Sequence, residues 1–297
     1  MSFTIRRLAS GLGAEVSGLD LSRPLDEATV AGLRAAWLEH LVLLFRDQKL
    51  SDQQFVEFSR CFSELHRHEN YQGELVHPTI KELLVVRNTP VPGKVVRFGQ
   101  QWHSDLSFTT QPAMGSVLYC RQLPDVGGDT MWANMYLAYE TLSEPIKRLI
   151  EPLSAVHDVT NGDSHFGDPE HIRSADARRN PPVLQPIVRV HPETGRKALF
   201  VSEWMCTRIP GLSRMEGDAL LKLLFAHSTR PEFVFRQQWR VNDVLIWDNR
   251  CTIHQALRDY DESQQRELIR TSLVGTPCGE LVWPAQAPAA AAQQVAA

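Results

Sequence analysis

The sequence lacks a long hydrophobic run, a strong excess of charge of either sign and a leader-like amino terminus. Its 31 Lys and Arg residues nearly balance its 35 Asp and Glu residues, which leaves a formal net charge of −4. A nucleic acid or an acidic membrane surface is therefore not the expected partner. No apolar run approaches the length of a membrane span. The two arginines near the start precede no apolar stretch of the kind found in secretion signals.

Cysteine is scarce, and its spacing indicates no pairing. The five cysteines are odd in number and widely scattered, without the short spacings typical of metal sites. They are Cys61, Cys120, Cys206, Cys251 and Cys278. This pattern predicts reduced thiols in a cytoplasmic protein.

The residues that are present describe an ordinary globular chain. Hydrophobic residues make up 43% of the sequence and charged residues 22%, which is typical of a folded domain. Many short strand-like runs with a few helices predict a mostly β fold with helical decoration, either a β-sandwich or a jelly-roll barrel. We expect a single domain over 1–283, a long polar loop or lid at about 158–182 and a low-complexity tail at 284–297.

Three segments combine helical spacing of apolar residues with a recognisable amino-terminal cap. Asp26 precedes the first of them. Ser51 with Gln54, and Ser213 with Glu216, have the three-residue spacing of a capping box. The sequence therefore predicts helices that begin directly after Asp26, Ser51 and Ser213.

The segment QWHSDLSF, residues 101–108, places a histidine and an aspartate in a run that reads as a buried strand. Side chains two positions apart on a strand point to the same face, so His103 and Asp105 are expected to converge. A buried carboxylate beside an imidazole needs compensation by hydrogen bonds or by a metal ion. A simple His–Asp hydrogen bond in a polar pocket and a metal site are both compatible with this pair.

A second histidine, His254, lies in the strand-like segment WDNRCTIHQAL. Together with His103 and Asp105 it would complete a set of two histidines and one carboxylate. Such a set leaves three adjacent positions open on an octahedral Fe(II), enough for a chelating co-substrate and O₂. The same ligands also suit Zn(II), and a lone His254 would more often be a core or surface residue. The spacing alone does not separate these alternatives.

Two arginines in RELIRTSLVG are the remaining chemical signal. Arg266 and Arg270 are four positions apart, so they share a strand face with Leu268 between them. At about 3.3 Å per residue, their Cα atoms are roughly 13 Å apart, which suits two anionic groups better than one carboxylate. Arginines that face a barrel interior need buried anions as partners. The alternative is a solvated charged face that includes Glu267.

Taken in order, these segments resemble the Fe(II)/2-oxoglutarate dioxygenases of the taurine dioxygenase and 2,4-dichlorophenoxyacetate dioxygenase family. The resemblance covers nearly the whole chain, and the ordered set of motifs is far more specific than the His-X-Asp element alone. The segments that carry it are GLGAEVSGLDLSRPL, HLVLLFRDQKLSDQQFVEFSRCF, WHSDLSF, GGDTMWANMYLAYETL, HPETGRKALFV, LLFAHSTRPEFVFRQQWR, WDNRCTIHQALRDYD and QRELIRTSLVG. The resemblance implies a double-stranded β-helix (jelly-roll) core.

The resemblance also implies a role for each residue that matches the family's site. His103, Asp105 and His254 match the iron ligands. Thr130, in GGDTMW, and Arg266 match the residues that bind the distal carboxylate of 2-oxoglutarate, for which the planar fork of an arginine is well suited.

The resemblance implies substrate contacts as well. Arg270 matches the arginine near the anionic group of the primary substrate. His68, in LHRHENY, matches a histidine that contacts the sulfonate in the taurine enzyme, and Leu106 is a further candidate contact. This chain has Gly99 where the taurine enzyme has an asparagine, which argues against taurine itself.

The activity that the resemblance implies is hydroxylation of a small organic anion with Fe(II), 2-oxoglutarate and O₂. Succinate and CO₂ would be released, and the hydroxylated product would break down if the attacked carbon carries a sulfonate, a sulfate ester or an aryloxy group. Two other classes compete: a metal-dependent hydrolase, which gives no role to Thr130 with Arg266, and a non-catalytic anion-binding barrel. The sequence leaves open the natural substrate and whether the chain forms a homo-oligomer.

Overall fold

The structure is a computed structural model of the whole chain. It describes residues 2–68, 77–91, 94–96, 99–159, 180–261 and 263–282. Nearly all of the lid predicted at 158–182, and all of the tail predicted at 284–297, lie outside the described residues. These two predictions and the single-domain boundary stay predictions.

Short strands make up most of the described structure. In chain order they are β1 Thr4–Arg7, β2 Ala14–Ser17, β3 Val42–Phe45, β4 Leu84–Arg87, β5 Thr89–Val91, β6 Lys94–Val96, β7 Gly115–Gln122, β8 Thr130–Asn134, β9 Ser154–His157, β10 Val183–Pro186, β11 Val188–Val190, β12 Lys197–Leu199, β13 Cys206–Arg208, β14 Val234–Gln237, β15 Val244–Asp248, β16 Thr252–Ala256, β17 Glu267–Leu273 and β18 Glu280–Leu281.

Two of the sheets position the site. The large sheet has seven strands in the order β1-β2-β3-β15-β7-β17-β4, and the small sheet has three in the order β14-β8-β16. Neighbours in both sheets are antiparallel except β2 and β3, which are parallel. A four-stranded sheet, β13-β9-β10-β18, and the hairpins β5-β6 and β11-β12 complete the described strands. The mostly β, jelly-roll prediction is confirmed.

Five α-helices decorate the sheets in the described part of the chain. They are α1 Glu27–His40, α2 Asp52–Arg60, α3 Met135–Glu140, α4 Glu144–Ile150 and α5 Arg214–Ser228. The three predicted caps are confirmed, because Asp26 accepts from the backbone of Thr29 and the capping boxes at Ser51 and Ser213 are both formed. Within the described residues, none of these helices is long and apolar enough to cross a membrane.

The central strands β3, β15 and β7 of the large sheet are buried on both faces, which explains their continuous apolar runs. Along β3, Leu43 and Phe45 pack in one cluster with Trp37 of α1. The alternate residues Val42 and Leu44 pack in a second cluster that includes residues of the small sheet. A strand between two apolar layers has no polar face, so its sequence does not alternate.

One strand prediction is wrong, and it concerns the segment that carries two candidate ligands. Within 101–108 only His103 pairs, in an isolated antiparallel bridge with His254. The chain then turns at Asp105 through Phe108, and Leu106 has a left-handed φ of 56°. The polar residues explain the change, because the side chain of Ser104 bonds the carbonyl of Asn249 and holds the segment away from a continuing ladder.

Candidate active site

A cavity between the large and the small sheet contains most of the residues that the sequence singled out. Its volume is about 230 Å³. The small sheet contributes Thr130 from β8 and His254 from β16, and the large sheet contributes Leu118 from β7 and Arg270 from β17. The site is therefore built partly on paired strands, whose backbone hydrogen bonds hold these four residues in place.

The two histidines and the aspartate lie together although the carboxylate is on a turn. His103 and His254 exchange backbone hydrogen bonds of 3.0 and 2.8 Å, and their ring centroids are 4.1 Å apart. From Asp105 Oδ1, His103 Nε2 is at 3.7 Å and His254 Nε2 is at 4.0 Å. One ligand atom of each residue lies within 4.8 Å of the others, so the three can reach a single ion.

The protonation of these groups suits a metal ion. Nδ1 of His103 lies 2.8 Å from the carbonyl of Gln101, which requires a proton on Nδ1 and leaves the Nε2 lone pair available. Burial lowers the pKa of His103, and lowers that of His254 well below its usual value, so both rings are neutral. Neutral imidazoles and an ionised carboxylate are the state that a divalent ion binds. The donor set therefore fits Fe(II).

Asp105 is held as a carboxylate by two hydrogen-bond donors. Burial by itself would raise its pKa, but the Arg270 guanidinium and the hydrogen bond from Ser116 lower it. Arg270 Nη1 donates to Oδ1 at 2.7 Å, and Ser116 Oγ donates to Oδ2 at 2.6 Å. The two oxygens of Asp105 therefore have different partners, and only Oδ1 faces the histidines.

A directional chain of hydrogen bonds lies behind Ser116. The indole N–H of Trp247 donates to Asn249 Oδ1 at 2.8 Å, and the Asn249 amide donates to Ser116 Oγ at 3.0 Å. Ser116 has its oxygen occupied as an acceptor, so its hydrogen points to Asp105. Sequence reasoning missed Ser116, Asn249 and Trp247. Polar residues at the end of the apolar run VLIWDNR were the available signal for the last two.

A second group of ligand-type residues, His191, Asp248 and Cys251, also clusters in the described structure. Its atoms already have partners. His191 Nδ1 accepts from two backbone N–H groups that follow it, while Nε2 lies 3.0 Å from Asp248. Arg250 donates to both oxygens of Asp248, and burial keeps the Cys251 thiol protonated by raising its pKa. This second cluster is therefore a structural hydrogen-bond network.

Arg266 and Thr130 meet at one side of the cavity. Arg266 Nε donates to the carbonyl of Gly128 at 2.8 Å, and Nη2 donates to Thr130 Oγ1 at 3.2 Å. Gly128 has a φ of +75°, and a Cβ there would lie 3.1 Å from the Arg266 side chain, which explains a glycine at this position. The Trp239 indole N–H also donates to Thr130 Oγ1, at 3.0 Å. Trp239 was not identified from the sequence.

Two of the three candidate substrate residues line the cavity, and in the described structure the third does not. Arg270 and Leu106 both line the cavity. His68 is 4% exposed, and its pKa falls to about 3 because of burial first and the nearby Arg270 guanidinium second. It is not among the described residues that line the cavity, so its contact with substrate stays a prediction.

Gly99 also lines the cavity and lies against His103. Its φ is +69°, and a Cβ at this position would lie 3.1 Å from Cε1 of His103. A side chain here would require the His103 imidazole to shift slightly. The remaining wall is largely apolar and includes Phe108, Val159 and Met205.

Known proteins match both the sequence and the structure. The family model described as "Taurine catabolism dioxygenase TauD, TfdA family" matches residues 4–272. The (S)-phenoxypropionate/alpha-ketoglutarate-dioxygenase of Sphingobium herbicidovorans is 34% identical over 94% of this chain and 97% of its own length. The alkylsulfatase of Acinetobacter baylyi is 35% identical over 91% of this chain and 84% of its own length.

A solved structure gives the same result. The crystal structure of AAD-2 in complex with Mn(II) and N-oxalylglycine superimposes with a TM-score of 0.81 at 34% identity, over 94% of this chain and 99% of that one. The chain therefore belongs to the TauD/TfdA family and is an Fe(II)- and 2-oxoglutarate-dependent dioxygenase.

Proposed function

We propose that His103, Asp105 and His254 bind the Fe(II), and that Arg266 with Thr130 binds the distal carboxylate of 2-oxoglutarate. The observation that carries this proposal is the meeting of a His-Asp-His group and a buried arginine in one cavity. Bound Fe(II) supplies the redox chemistry that couples decarboxylation of 2-oxoglutarate by O₂ to hydroxylation of a substrate C–H bond. Succinate and CO₂ are the co-products.

The protein's contribution is orientation. Arg266, Leu268 and Arg270 all face the space between the sheets, and both arginines line the cavity. Arg266 positions the co-substrate, and Arg270 binds the anionic group of the primary substrate. Ser116 donates to Oδ2 of Asp105, so that Oδ1, which also accepts from Arg270, is the oxygen that faces the metal. Reactants held in this way meet in a defined geometry, which lowers the entropic part of the barrier.

The substrate that we propose is a small organic anion with an apolar body. Arg270 supplies a cation beside the metal ligands, while Leu106, Phe108, Val159 and Met205 supply an apolar wall. Relatives are named for phenoxypropionate, for alkyl sulfates and for sulfonates. Sulfonates, sulfate esters and aryloxyalkanoates are therefore the classes to test, and hydroxylation next to sulfur or oxygen would lead to breakdown of the product.

We also propose a reducing compartment for the protein. All five are free thiols, and unpaired thiols are typical of a reducing compartment. This supports a cytoplasmic enzyme.

A substrate panel tests the proposed function. Purified protein with Fe(II), 2-oxoglutarate and O₂ is given sulfonates, sulfate esters and aryloxy acids, and succinate is measured together with sulfite, sulfate or phenol. We expect stoichiometric release of succinate and one of these products for at least one class, and none with His254→Ala. Full turnover by folded His254→Ala would contradict the ligand assignment.

A further inference from the structure

We propose that Trp239 determines which chemical group Arg266 and Thr130 can bind, because it fixes the direction in which the Thr130 hydroxyl donates its hydrogen. The inference rests on the proposed function, since it takes these two residues as the binding site of the distal carboxylate. Trp239 is a positioning residue in this proposal, because it acts only through Thr130.

The hydrogen bonds around Thr130 determine whether its hydroxyl can donate or accept toward a ligand. Thr130 Oγ1 accepts from Trp239 Nε1 at 3.0 Å and from Arg266 Nη2 at 3.2 Å. A hydroxyl oxygen has two lone pairs and one hydrogen. Because both lone pairs are occupied, the hydroxyl can only donate to a third partner.

That third partner is not in the described protein. No described residue accepts the Thr130 hydrogen, yet Thr130 is 2% exposed and lines the cavity. A buried donor without an acceptor is destabilising, so a ligand group is the expected acceptor. Arg266 also offers only donors. This end of the cavity therefore suits a group that only accepts, which is a carboxylate, and disfavours an amide, which donates from its nitrogen.

The indole of Trp239 is held in place for this role. Its ring packs edge-on against the fully buried Trp132, with ring centroids 6.3 Å apart. Trp239 itself is 7% exposed. An N–H on a packed ring has little freedom to turn away, whereas the Thr130 hydroxyl rotates freely about its C–O bond. Trp239 therefore sets the orientation of the Thr130 hydroxyl.

Removing the indole N–H of Trp239 should reduce the preference of the site for an acid over the corresponding amide. In Trp239→Phe one lone pair of Thr130 is released, so the hydroxyl can turn and accept from an amide. We compare the binding of N-oxalylglycine, an unreactive 2-oxoglutarate analogue, with that of N-oxalylglycinamide by calorimetry on the Mn(II)-loaded protein. The preference for the acid should fall about three- to tenfold, the range expected for one neutral hydrogen bond.

Matched variants separate the effect of the Trp239 N–H from a general loss of packing. Trp37→Phe is the control, because Trp37 is also buried and its Nε1 has no partner among the described residues; its preference should stay unchanged. Replacement of Trp239 by β-(3-benzothienyl)alanine removes the N–H and keeps the shape of the ring, so it serves if Trp239→Phe does not fold. In a Thr130→Val background, Trp239→Phe should have no further effect on the preference.

The outcomes separate this inference from the proposed function. A reduced preference in both Trp239 variants, with Trp37→Phe unchanged, supports the inference. An unchanged preference in the Trp239 variants, while Arg266→Ala loses N-oxalylglycine, overturns the role of Trp239 and leaves the proposed function standing. Undiminished N-oxalylglycine binding in Arg266→Ala overturns the assignment of the carboxylate site, and the inference with it.

Discussion

At the scale of single residues, Asp105 shows how the protein gives two chemically identical oxygens different tasks. Oδ2 accepts from Ser116, and Oδ1 faces both histidines. The Ser116 hydroxyl is itself oriented by the amide of Asn249. Partners that orient a metal ligand in this way commonly change metal affinity 10- to 100-fold when they are removed, by the general behaviour of such sites.

Ser116→Ala should therefore weaken metal binding about tenfold or more. The variant leaves Asp105 free to turn Oδ2 toward the ion and removes one stabilising donor. Calorimetric titration with Mn(II) under anaerobic conditions measures the affinity directly. Ser228→Ala is the control, since its buried hydroxyl bonds a carbonyl within α5. Equal metal affinities of the two variants would show that Ser116 does not support the ligand.

Arg266→Lys should weaken the binding of 2-oxoglutarate although it keeps the charge. Lysine cannot donate to Gly128, to Thr130 and to a carboxylate with the geometry of the guanidinium fork. We expect about a tenfold loss or more, because hydrogen bonds to charged groups contribute about 1.5–3 kcal/mol. Binding of N-oxalylglycine to the Mn(II)-loaded protein is the measurement, with the exposed Arg214→Lys as control. An unaffected response would assign the distal carboxylate to another residue.

At the scale of elements, Arg270 lies on β17 and Arg266 directly precedes the strand, so the predicted strand position is confirmed for Arg270 alone. Arg266 precedes a register irregularity between Glu267 and Leu268, and Arg270 follows it. Both side chains nevertheless line the same cavity. The strand pairs with β7 on one side and β4 on the other. The position of Arg270 is therefore fixed by a paired backbone, and the backbone of Arg266 is held by hydrogen bonds with Asn88.

Arg270→Ala and Arg266→Ala should damage different binding events. Loss of Arg270 leaves the substrate anion without its charge partner, which should cost about 2–5 kcal/mol of substrate binding free energy. Binding of N-oxalylglycine should largely survive at saturating Mn(II). Arg266→Ala should show the reverse. Parallel titrations with the active substrate and with N-oxalylglycine make the comparison. If Arg270→Ala loses the analogue as severely as Arg266→Ala does, the division between the two arginines is wrong.

The amino-terminal cap of α1 should make part of the stability depend on pH. Hydrogen bonds from Thr29 lower the pKa of Asp26 from 3.8 to about 2. A lowered pKa stabilises the fold above pH about 4, and the contribution is lost as the pH falls toward 2. Asp26→Ser keeps a capping oxygen that does not titrate.

Urea unfolding at pH 5 and at pH 3 measures this contribution. The wild-type protein should lose more stability between the two values than Asp26→Ser does. The exposed Glu57→Gln on α2 is the control and should behave as the wild type. The same loss of stability in Asp26→Ser and in the wild type would show that the Asp26 carboxylate does not contribute.

At the scale of the whole molecule, the sequence predicts local features well and distant partners poorly. The caps at Asp26, Ser51 and Ser213 depend on neighbours three residues away, so the pattern contains them. Contacts such as Asn249 with Ser116, and Trp239 with Thr130, join residues more than a hundred positions apart. No local spacing encodes them. The turn at Leu106 was missed for a related reason, since Ser104 donates to the carbonyl of Asn249, in the distant turn between β15 and β16.

Ligand binding should stabilise the whole chain, because His254 comes from the small sheet, Asp105 from a turn and Arg270 from the large sheet. A ligand that binds only the folded state adds about 2.7 kcal/mol at 100 times its dissociation constant. Mn(II) with N-oxalylglycine should therefore raise the unfolding temperature, and a chelator should reverse the effect. In His254→Ala the metal-dependent rise should vanish. An undiminished rise in that variant would place the metal elsewhere.

Arg270 of β17 and Arg266 directly before that strand also bear on how this fold acquires new substrates. Under the proposed assignment, the distance between the two anions is set by the length of backbone that joins these arginines, which a point mutation does not lengthen or shorten. The apolar wall has no such constraint, because Leu106 and Phe108 lie on a turn and Met205 lies outside the named strands. The residues of the apolar wall can therefore change during evolution while the backbone of β17 stays the same. A lineage built on this cavity would change the body of its substrate far more readily than the spacing of its charges.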